Sequence, residues 1–264
     1  MRRLSFSMMA NLFDPRESVM KAYRNSSRRQ FLKLAGSVTA ALGLSTVIGS
    51  VHAADAPLKI GVIGSGRIGS ALGGVWAQMG HKVMFSSRTI DNDRKLAASV
   101  GPNASAGTPQ EAAAFGDVLV IAVPYRAMPD VGKEIGNAAK GKIVIDPSNP
   151  IPARDGETAT WAREKGAGYA TAELLPGARV VRAFNAIGYA RMAKAHETQG
   201  VRIGMPMAGD DAKAIEVASR LIRENGYEPV LVGGLAMGKY LMPGTPLAGE
   251  HSPDEIRKIA STLK

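Results

Sequence analysis

The sequence predicts an α/β fold in which a mostly parallel sheet is covered by helices on both faces. From residue 58 onward, short apolar runs alternate with glycine turns and helical segments. The runs are apolar throughout, as expected for parallel strands buried on both faces. The chain has 264 residues, of which 45% are hydrophobic and 21% charged, so it can build a globular core. We expect a doubly wound, single compact domain with a small C-terminal extension.

The first half of this pattern provides four strands and four helices. Strands are predicted at 58–63, 82–85, 118–123 and 142–145, and helices at 67–79, 94–100 and 128–140. A fourth helix starts at Thr108-Pro109-Gln110-Glu111, because Thr108 and Glu111 can satisfy each other's backbone amides in a capping box.

The second half continues the alternation. Strands are predicted at 179–183, 203–208 and 229–232, and a helix at 212–225. A second capping box, Ser252-Pro253-Asp254-Glu255, opens the last helix. We therefore divide the chain after the leader into a nucleotide-binding half, 54–150, and a second α/β half, 151–264, whose C-terminal helix lines the acceptor site.

Residues 1–53 have the three parts of a bacterial export signal: a basic end, an apolar middle and a small-residue cleavage site, expected after Ala53. Ser27-Arg28-Arg29-Gln30-Phe31-Leu32-Lys33 resembles the twin-arginine signal motif. The resemblance implies a periplasmic protein handled by the twin-arginine export machinery. Glycines and hydroxyls weaken the apolar run, so no stable membrane span is expected after cleavage; an uncleaved signal would tether the protein. Met1 and Met20 both remain candidate starts.

The net charge of +10 does not predict a nucleic-acid partner. Eight of the 33 basic residues but two of the 23 acidic residues lie in the leader, so the remaining surface is close to balanced. The chain has no cysteine, which excludes disulfides, thiolate metal sites and cysteine nucleophiles, and its histidines lack metal-ligand spacing.

A glycine turn joins the first strand to the first helix. Gly64-Ser65-Gly66-Arg67-Ile68-Gly69 has the Gly-x-Gly-x-x-Gly spacing of a dinucleotide site. Gly64 allows the tight turn, Gly66 lets the backbone approach a pyrophosphate, and Gly69 lets helix and strand pack closely. The motif in this context predicts a Rossmann-type fold that binds a dinucleotide; a purely structural glycine turn is the alternative.

The end of the second strand favours NADP(H) over NAD(H). Sites for NAD usually carry an acid here to hold the ribose 2′-hydroxyl, whereas this strand ends Phe85-Ser86-Ser87-Arg88. A hydroxyl beside a guanidinium suits a 2′-phosphate. Arg94 is a weaker second candidate for the phosphate, and stacking of Arg88 on the adenine of either cofactor is the alternative.

Several segments together resemble the NADP oxidoreductases that depend on the deazaflavin coenzyme F420. These are the glycine turn, residues 80–88, Ala122-Val123-Pro124-Tyr125, Asp146-Pro147-Ser148-Asn149-Pro150, Val180-Val181-Arg182-Ala183-Phe184-Asn185 and Ala208-Gly209-Asp210-Asp211. The N-terminal half also resembles the cytosolic NADPH domain of six-transmembrane metalloreductases. The resemblance implies hydride transfer between NADPH and a stacked acceptor ring.

The same resemblance implies roles for individual residues. The phosphates would contact Gly64, Ser65, Gly66, Arg67 and Ile68; the 2′-phosphate would contact Ser87 and Arg88; Val123, Pro124 and Tyr125 would lie beside the ribose and nicotinamide. Residues 242–251 differ from the apolar C-terminal helix of deazaflavin enzymes. The small-molecule acceptor therefore stays open between F420, a flavin, a quinone and a ferric chelate.

Three polar residues follow predicted strands at the carboxyl edge of the sheet, where open α/β folds bind ligands: Tyr125, Asn149 and Asn185. They are the candidates for the acceptor pocket, because hydride transfer needs mainly positioning of two rings. Turn and capping roles are the alternatives. A non-catalytic NADPH sensor would show the same binding half, and the oligomeric state stays open, a homodimer included.

Overall fold

The computed structural model describes residues 56–198 and 200–263. The predicted export signal, 1–53, and its cleavage site lie outside the described residues. The strands are β1 Lys59–Ile63, β2 Lys82–Ser86, β3 Ala104–Ala106, β4 Val118–Ile121, β5 Ile143–Asp146, β6 Arg179–Arg182, β7 Gly204–Gly209 and β8 Glu228–Gly233. The α-helices are α1 Arg67–Gln78, α2 Ile90–Val100, α3 Pro109–Phe115, α4 Met128–Ala139, α5 Pro152–Lys165, α6 Ala167–Leu174, α7 Tyr189–Met192, α8 Ala212–Glu224 and α9 Pro253–Ala260.

The eight strands of the described residues form one sheet in the order β3-β2-β1-β4-β5-β6-β7-β8. Neighbouring strands are parallel except β6 and β7, which are antiparallel. The prediction of a mostly parallel, doubly wound sheet is therefore confirmed. The strand order reverses at β1, whose neighbours are β2 and β4. That reversal opens a crevice at the carboxyl ends of the strands, where such folds bind their ligands.

The strands bury both of their faces, which explains their uniformly apolar sequences. In β4, Val118 and Val120 belong to one core cluster, while Leu119 and Ile121 belong to another on the opposite face. The alternation follows from the two-residue period of side chains along a strand. A third cluster around Ile256 joins α9 to β7 and β8.

The two halves of the described chain share a core. Trp76 of α1 is fully buried, and its ring meets Phe184 edge to face with 5.9 Å between the centroids. Its indole nitrogen donates a hydrogen bond of 3.0 Å to the carbonyl of Leu221 in α8. The buried indole thus has the partner that its N–H requires.

Both predicted capping boxes, at Thr108 and Ser252, are present. The structure also contains elements that the sequence did not predict: β3, α5, α6 and α7. β3 is the three-residue segment Ala-Ser-Ala, which has no β-branched or aromatic residue. α5 is largely polar and is interrupted by Gly156, which has φ +58°, so its sequence carries little helical periodicity.

No helix within 56–198 and 200–263 is long and apolar enough to cross a membrane. In the same residues, no group of three or more His, Asp or Glu side chains could hold a metal ion.

Candidate functional site

In the glycine turn between β1 and α1, two glycines are required by close packing and a third leaves free space at the surface. Gly64 has φ +97°, and a Cβ there would lie 2.5 Å from the carbonyl oxygen of Ala122. A Cβ on Gly69 would lie 2.0 Å from the carbonyl oxygen of Gly64. At Gly66, by contrast, a Cβ would meet no atom within 4 Å. Packing therefore requires Gly64 and Gly69, whereas the surface over Gly66 is open to a ligand.

The N-terminus of α1 is suited to an anion. Its N-cap is Gly66, which provides no side-chain cap, and the first turn contains no acidic residue. The amides and positive dipole end of such a helix attract phosphate groups. The turn is fixed to β2, because the amides of Gly64 and Ser65 both donate to the carbonyl of Ser86, at 2.9 and 3.0 Å. The Arg67 guanidinium lies 5.2 Å from the centroid of the Tyr189 ring, so this arginine also packs on α7.

The arginines predicted for the 2′-phosphate differ in their surroundings. Arg88 follows β2, is exposed, and forms no ion pair with any residue that the structure describes. Arg94 is paired with Asp91 at 3.0 Å on the exposed side of α2. Arg88 is therefore the better placed of the two to bind an added phosphate.

Sequence reasoning missed Asp93 of α2, an acid placed behind the predicted phosphate site. Asp93 is fully buried, and its Oδ2 accepts a hydrogen bond of 2.9 Å from the Ser87 hydroxyl. Its Oδ1 accepts from the Ser65 hydroxyl. The carboxylate ties the glycine turn to the end of β2 and is not presented to a ribose. The proton of the Ser87 hydroxyl is thus directed to Asp93, whereas the Arg88 guanidinium forms no ion pair with the described residues.

The three residues that follow β4 occupy different environments. Val123 is half-buried and Pro124 is exposed, so both can border a ligand at the sheet edge. Tyr125 is fully buried at the start of a 3₁₀ turn, with its hydroxyl 3.3 Å from the Ala167 carbonyl and 3.1 Å from the Thr171 hydroxyl. Burial, together with the negative charge of Asp146, raises the pKa of Tyr125. This tyrosine therefore lies in the interior of the protein and not at the surface of the cleft.

A buried ion pair holds the carboxyl ends of β5 and β6 together. Asp146 and Arg182 are paired across the two strands, and both side chains are completely buried. Arg182 Nη1 donates to Asp146 Oδ2 at 2.6 Å, and Nη2 donates to the Ser148 carbonyl at 3.0 Å. Asp146 also accepts from the Thr171 hydroxyl at 2.7 Å and from the Ser148 amide at 2.8 Å. The pair fixes the loop that leads to Asn149.

Asn149 and Asn185 lie next to each other on the loops after β5 and β6. The Nδ2 of Asn149 donates to the Asn185 carbonyl at 3.0 Å. The Nδ2 of Asn185 donates to the carbonyls of Asp146 and Ser148, at 3.2 and 3.1 Å. Both Oδ1 atoms are buried and have no hydrogen-bond partner among the residues that the structure describes. Unpartnered buried oxygens are uncommon in folded proteins, so these two require an explanation.

The backbone beside Asn185 is strained. Phe184 has φ +65° and is the one non-glycine residue with positive φ in the described chain. A bulky residue in this conformation is an outlier, and such outliers concentrate at functional sites. Contact of the buried Phe184 ring with Trp76 holds the strained backbone in place.

The structure thus brings most of the predicted site residues to one edge of the sheet. Along the strand order, Ser87 and Arg88 follow β2, the glycine turn follows β1, Val123 and Pro124 follow β4, Asn149 follows β5 and Asn185 follows β6.

Comparison with known proteins gives two family matches. Residues 59–150 match the family described as "NADP oxidoreductase coenzyme F420-dependent". The matched range contains β1 to β5 and the glycine turn. Residues 25–45 match the twin-arginine translocation signal sequence, which confirms the prediction made from the paired arginines.

Individual relatives extend the match beyond β5. An F420-dependent NADP reductase of Methanothermobacter thermautotrophicus is 30% identical over 206 residues, which cover 72% of this chain and 87% of that protein. The rat metalloreductase STEAP3 is 29% identical over 185 residues, but only 36% of its length is matched. The crystal structure of a hypothetical protein from Sinorhizobium meliloti superposes with a TM-score of 0.64 and 28% identity, covering 74% of this chain and 95% of that one. The chain therefore belongs to the family of coenzyme F420-dependent NADP oxidoreductases.

Proposed function

We propose that this protein is an exported oxidoreductase that transfers hydride between NADPH and a second cofactor or small acceptor. Two observations on the described part of the chain carry the proposal: the surface over Gly66 at the start of α1 is open, and Arg88 after the neighbouring strand has no ion-pair partner there. One feature offers a place for a pyrophosphate and the other a charge for a 2′-phosphate. Bound NADP(H) supplies the hydride chemistry, and the protein supplies position and orientation.

The residues divide by the part of the cofactor that they hold. The glycine turn, Gly64 to Ile68, binds the pyrophosphate; Arg88 binds the 2′-phosphate, with Ser87 shaping the pocket and Arg94 in a lesser role; Val123 and Pro124 border the ribose and nicotinamide. Asn149 and Asn185 complete the site at the far end, and Tyr125 supports it from the interior through Thr171. The half formed by 151–264 contributes Asn185 and closes the acceptor side.

The family and the relatives support several classes of acceptor. A deazaflavin is favoured by the family and by the Methanothermobacter reductase. A ferric chelate is favoured by the similarity to a metalloreductase. Flavins and quinones are further candidates, since both accept hydride or electrons at an exposed ring.

The twin-arginine signal supports a periplasmic location and transport by the twin-arginine machinery, with the leader 1–53 removed. We infer that the protein binds NADP before export, because a ligand bound only to the folded state stabilises it. Changing Arg28 and Arg29 together to lysine should leave the precursor in the cytoplasm, as seen by cell fractionation, because a receptor reads the arginine pair. Normal export of this variant would contradict the assignment.

The Arg88→Ala variant tests the cofactor assignment. Losing a charge-assisted phosphate contact should weaken NADPH binding by about 1.5 to 3 kcal/mol, roughly 10- to 150-fold. NADH lacks the phosphate, so its affinity should change little. Titration of both nucleotides by calorimetry measures the difference, and Arg257→Ala, an exposed arginine on α9, is the matched control.

Two outcomes would count against the proposal. Equal losses for NADPH and NADH in Arg88→Ala would refute the 2′-phosphate contact. NADPH that binds but is not oxidised after addition of F420, flavins, quinones or ferric chelates would favour a sensor that binds the nucleotide without catalysis.

A further inference from the structure

Within the described chain, the side-chain oxygens of Asn149 and Asn185 are hydrogen-bond acceptors that no donor contacts. Each Nδ2 lies within hydrogen-bond distance of backbone carbonyl oxygens, which can only accept. Rotating either amide by 180° would place oxygen against oxygen, so the hydrogen bonds fix which atom is Nδ2. The remaining Oδ1 atoms are buried and unpartnered, and Asn185 is only 4% exposed.

The strand order places both asparagines at the nicotinamide end of the proposed cofactor. A dinucleotide crosses the strand ends with its pyrophosphate at the turn after β1. Because Arg88 follows β2 and is proposed to bind the 2′-phosphate of the adenosine half, that half lies on the β2 side of the crevice. The other half must therefore extend over β4 and β5 toward β6, where Asn149 and Asn185 lie.

The chemistry of that half of the cofactor limits what could satisfy two acceptor oxygens. The nicotinamide ring carries a primary carboxamide, whose NH₂ group presents two N–H donors from one nitrogen. The ribose next to it also presents two donors, from two adjacent hydroxyls, and each hydroxyl accepts as well. Because Val123 and Pro124 after β4 border the ribose in the proposed site, the loops after β5 and β6 lie beyond the sugar, and their pair of acceptors is assigned to the carboxamide.

Hydrogen bonds and packing within the described chain hold the loops that carry the two oxygens. Arg182 donates to the Ser148 carbonyl, which also accepts from Asn185, and Asp146 accepts from the Ser148 amide. The conformation of Phe184 is fixed by its packing against Trp76. Preorganisation of this kind is expected where a ring must be held in one orientation for reaction.

We propose that Asn149 and Asn185 recognise the carboxamide of the nicotinamide ring, with their Oδ1 atoms accepting its two N–H groups. The inference rests on the proposed NADP(H) site and replaces the sequence prediction that both asparagines bind the hydride acceptor. In this role they are positioning residues: they set the rotation of the ring and take no proton or hydride.

The test compares three nucleotides in calorimetric titrations of the protein. NADP⁺ and its thionicotinamide analogue keep the NH₂ group, whereas the 3-acetylpyridine analogue replaces it with a methyl group. The unmodified protein should bind the acetylpyridine analogue about tenfold or more weakly than NADP⁺, because two buried acceptors stay unpaired. The thionicotinamide analogue should bind within about threefold of NADP⁺, since it donates the same two bonds.

Substitutions then assign the discrimination to the two side chains. In Asn149→Leu and Asn185→Leu, the ratio between NADP⁺ and the acetylpyridine analogue should fall toward one, mainly through weaker NADP⁺ binding. Asn137→Leu, an exposed asparagine on α4, is the matched control and should keep the ratio. Far-ultraviolet circular dichroism reports whether each variant is folded.

Three results separate failure of this inference from failure of the proposed function. Equal affinity of the unmodified protein for NADP⁺ and the acetylpyridine analogue would overturn the carboxamide contact, even if no variant folds. Equal losses for both nucleotides in the leucine variants would assign the oxygens to ribose or water and also overturn it. Absence of NADP⁺ binding to the unmodified protein would overturn the proposed function itself.

Discussion

Replacing Arg182 by methionine tests whether the buried ion pair stabilises the loops of the site. The guanidinium and the Asp146 carboxylate are both fully buried and 2.6 Å apart. Without Arg182, the carboxylate retains only the Thr171 hydroxyl and the Ser148 amide as partners. Removing one member of a buried pair leaves an uncompensated charge and typically costs about 3 to 5 kcal/mol. We expect a loss of that size in the free energy of unfolding.

The second substitution, Asp146→Asn, separates the cost of the stranded charge from the cost of the missing contacts. Because the Arg182→Met, Asp146→Asn double variant contains no buried charge at this position, it should be more stable than Arg182→Met alone. Arg179→Met, on the same strand but partly exposed, is the control and should cost about 1 kcal/mol or less.

Urea unfolding followed by circular dichroism at pH 7 measures all four proteins. The cost of Arg182→Met could approach the whole stability of a small domain, about 5 to 15 kcal/mol. If that variant is unfolded without urea, the double variant still tests the reasoning, because it should recover a folded state. A loss below about 1 kcal/mol in Arg182→Met, or a double variant less stable than the single one, would refute the account of the ion pair.

Two further predictions concern the glycine turn and the pH dependence of stability. Gly69→Ala should lower the melting temperature, because its Cβ would lie 2.0 Å from the Gly64 carbonyl oxygen. Gly66→Ala should leave the melting temperature unchanged and weaken only NADP⁺ binding. Equal melting temperatures of the two variants would contradict the packing argument. Burial is the largest single influence and raises the pKa of Glu224, but the hydrogen bonds and charges of His81 and Arg220 together outweigh it and lower the pKa below its usual 4.5. The ionised Glu224 therefore contributes its full stabilisation above pH 4.5, and this contribution is lost as the pH falls through the lowered pKa. Below pH 4.5, urea titrations should show a smaller drop in the free energy of unfolding for Glu224→Gln than for the unmodified protein.

Sequence alone predicted the parts of the fold that depend on local signals. Strands buried on both faces must be apolar throughout, so β4 and β5 are visible as unbroken runs. Capping boxes require particular residues at fixed spacing, so the starts of α3 and α9 were predicted at the right positions. α5 has neither signal: its sequence is too polar to show a helical hydrophobic period, and its start at Pro152 has no side-chain cap.

The glycine turn was also predictable, because its glycine spacing is a local sequence motif in which Gly64 and Gly69 meet steric requirements. The direction of the side chains at the strand ends was not predictable. Tyr125 follows β4 in the position of a cleft residue, yet a 3₁₀ turn carries its ring inward to Thr171 on α6, a helix that the sequence did not predict. Asp93 lies six residues beyond Ser87, and only the packing of α2 against the sheet brings its carboxylate to the Ser65 and Ser87 hydroxyls.

The buried ion pair is partly predictable from the sequence: its two charges are visible there, but their contact depends on the order of the strands. Asp146 and Arg182 are opposite charges placed at the ends of two apolar strands, and neither has a local reason to be there. A charge buried at the end of such a strand needs a partner, because desolvation costs several kcal/mol per ion. If β5 and β6 are adjacent and parallel, their carboxyl ends coincide and the two charges meet, as the register Asp146 to Arg182 shows. Opposite charges at the ends of consecutive apolar strands therefore indicate both the adjacency of those strands and the edge at which to look for the site.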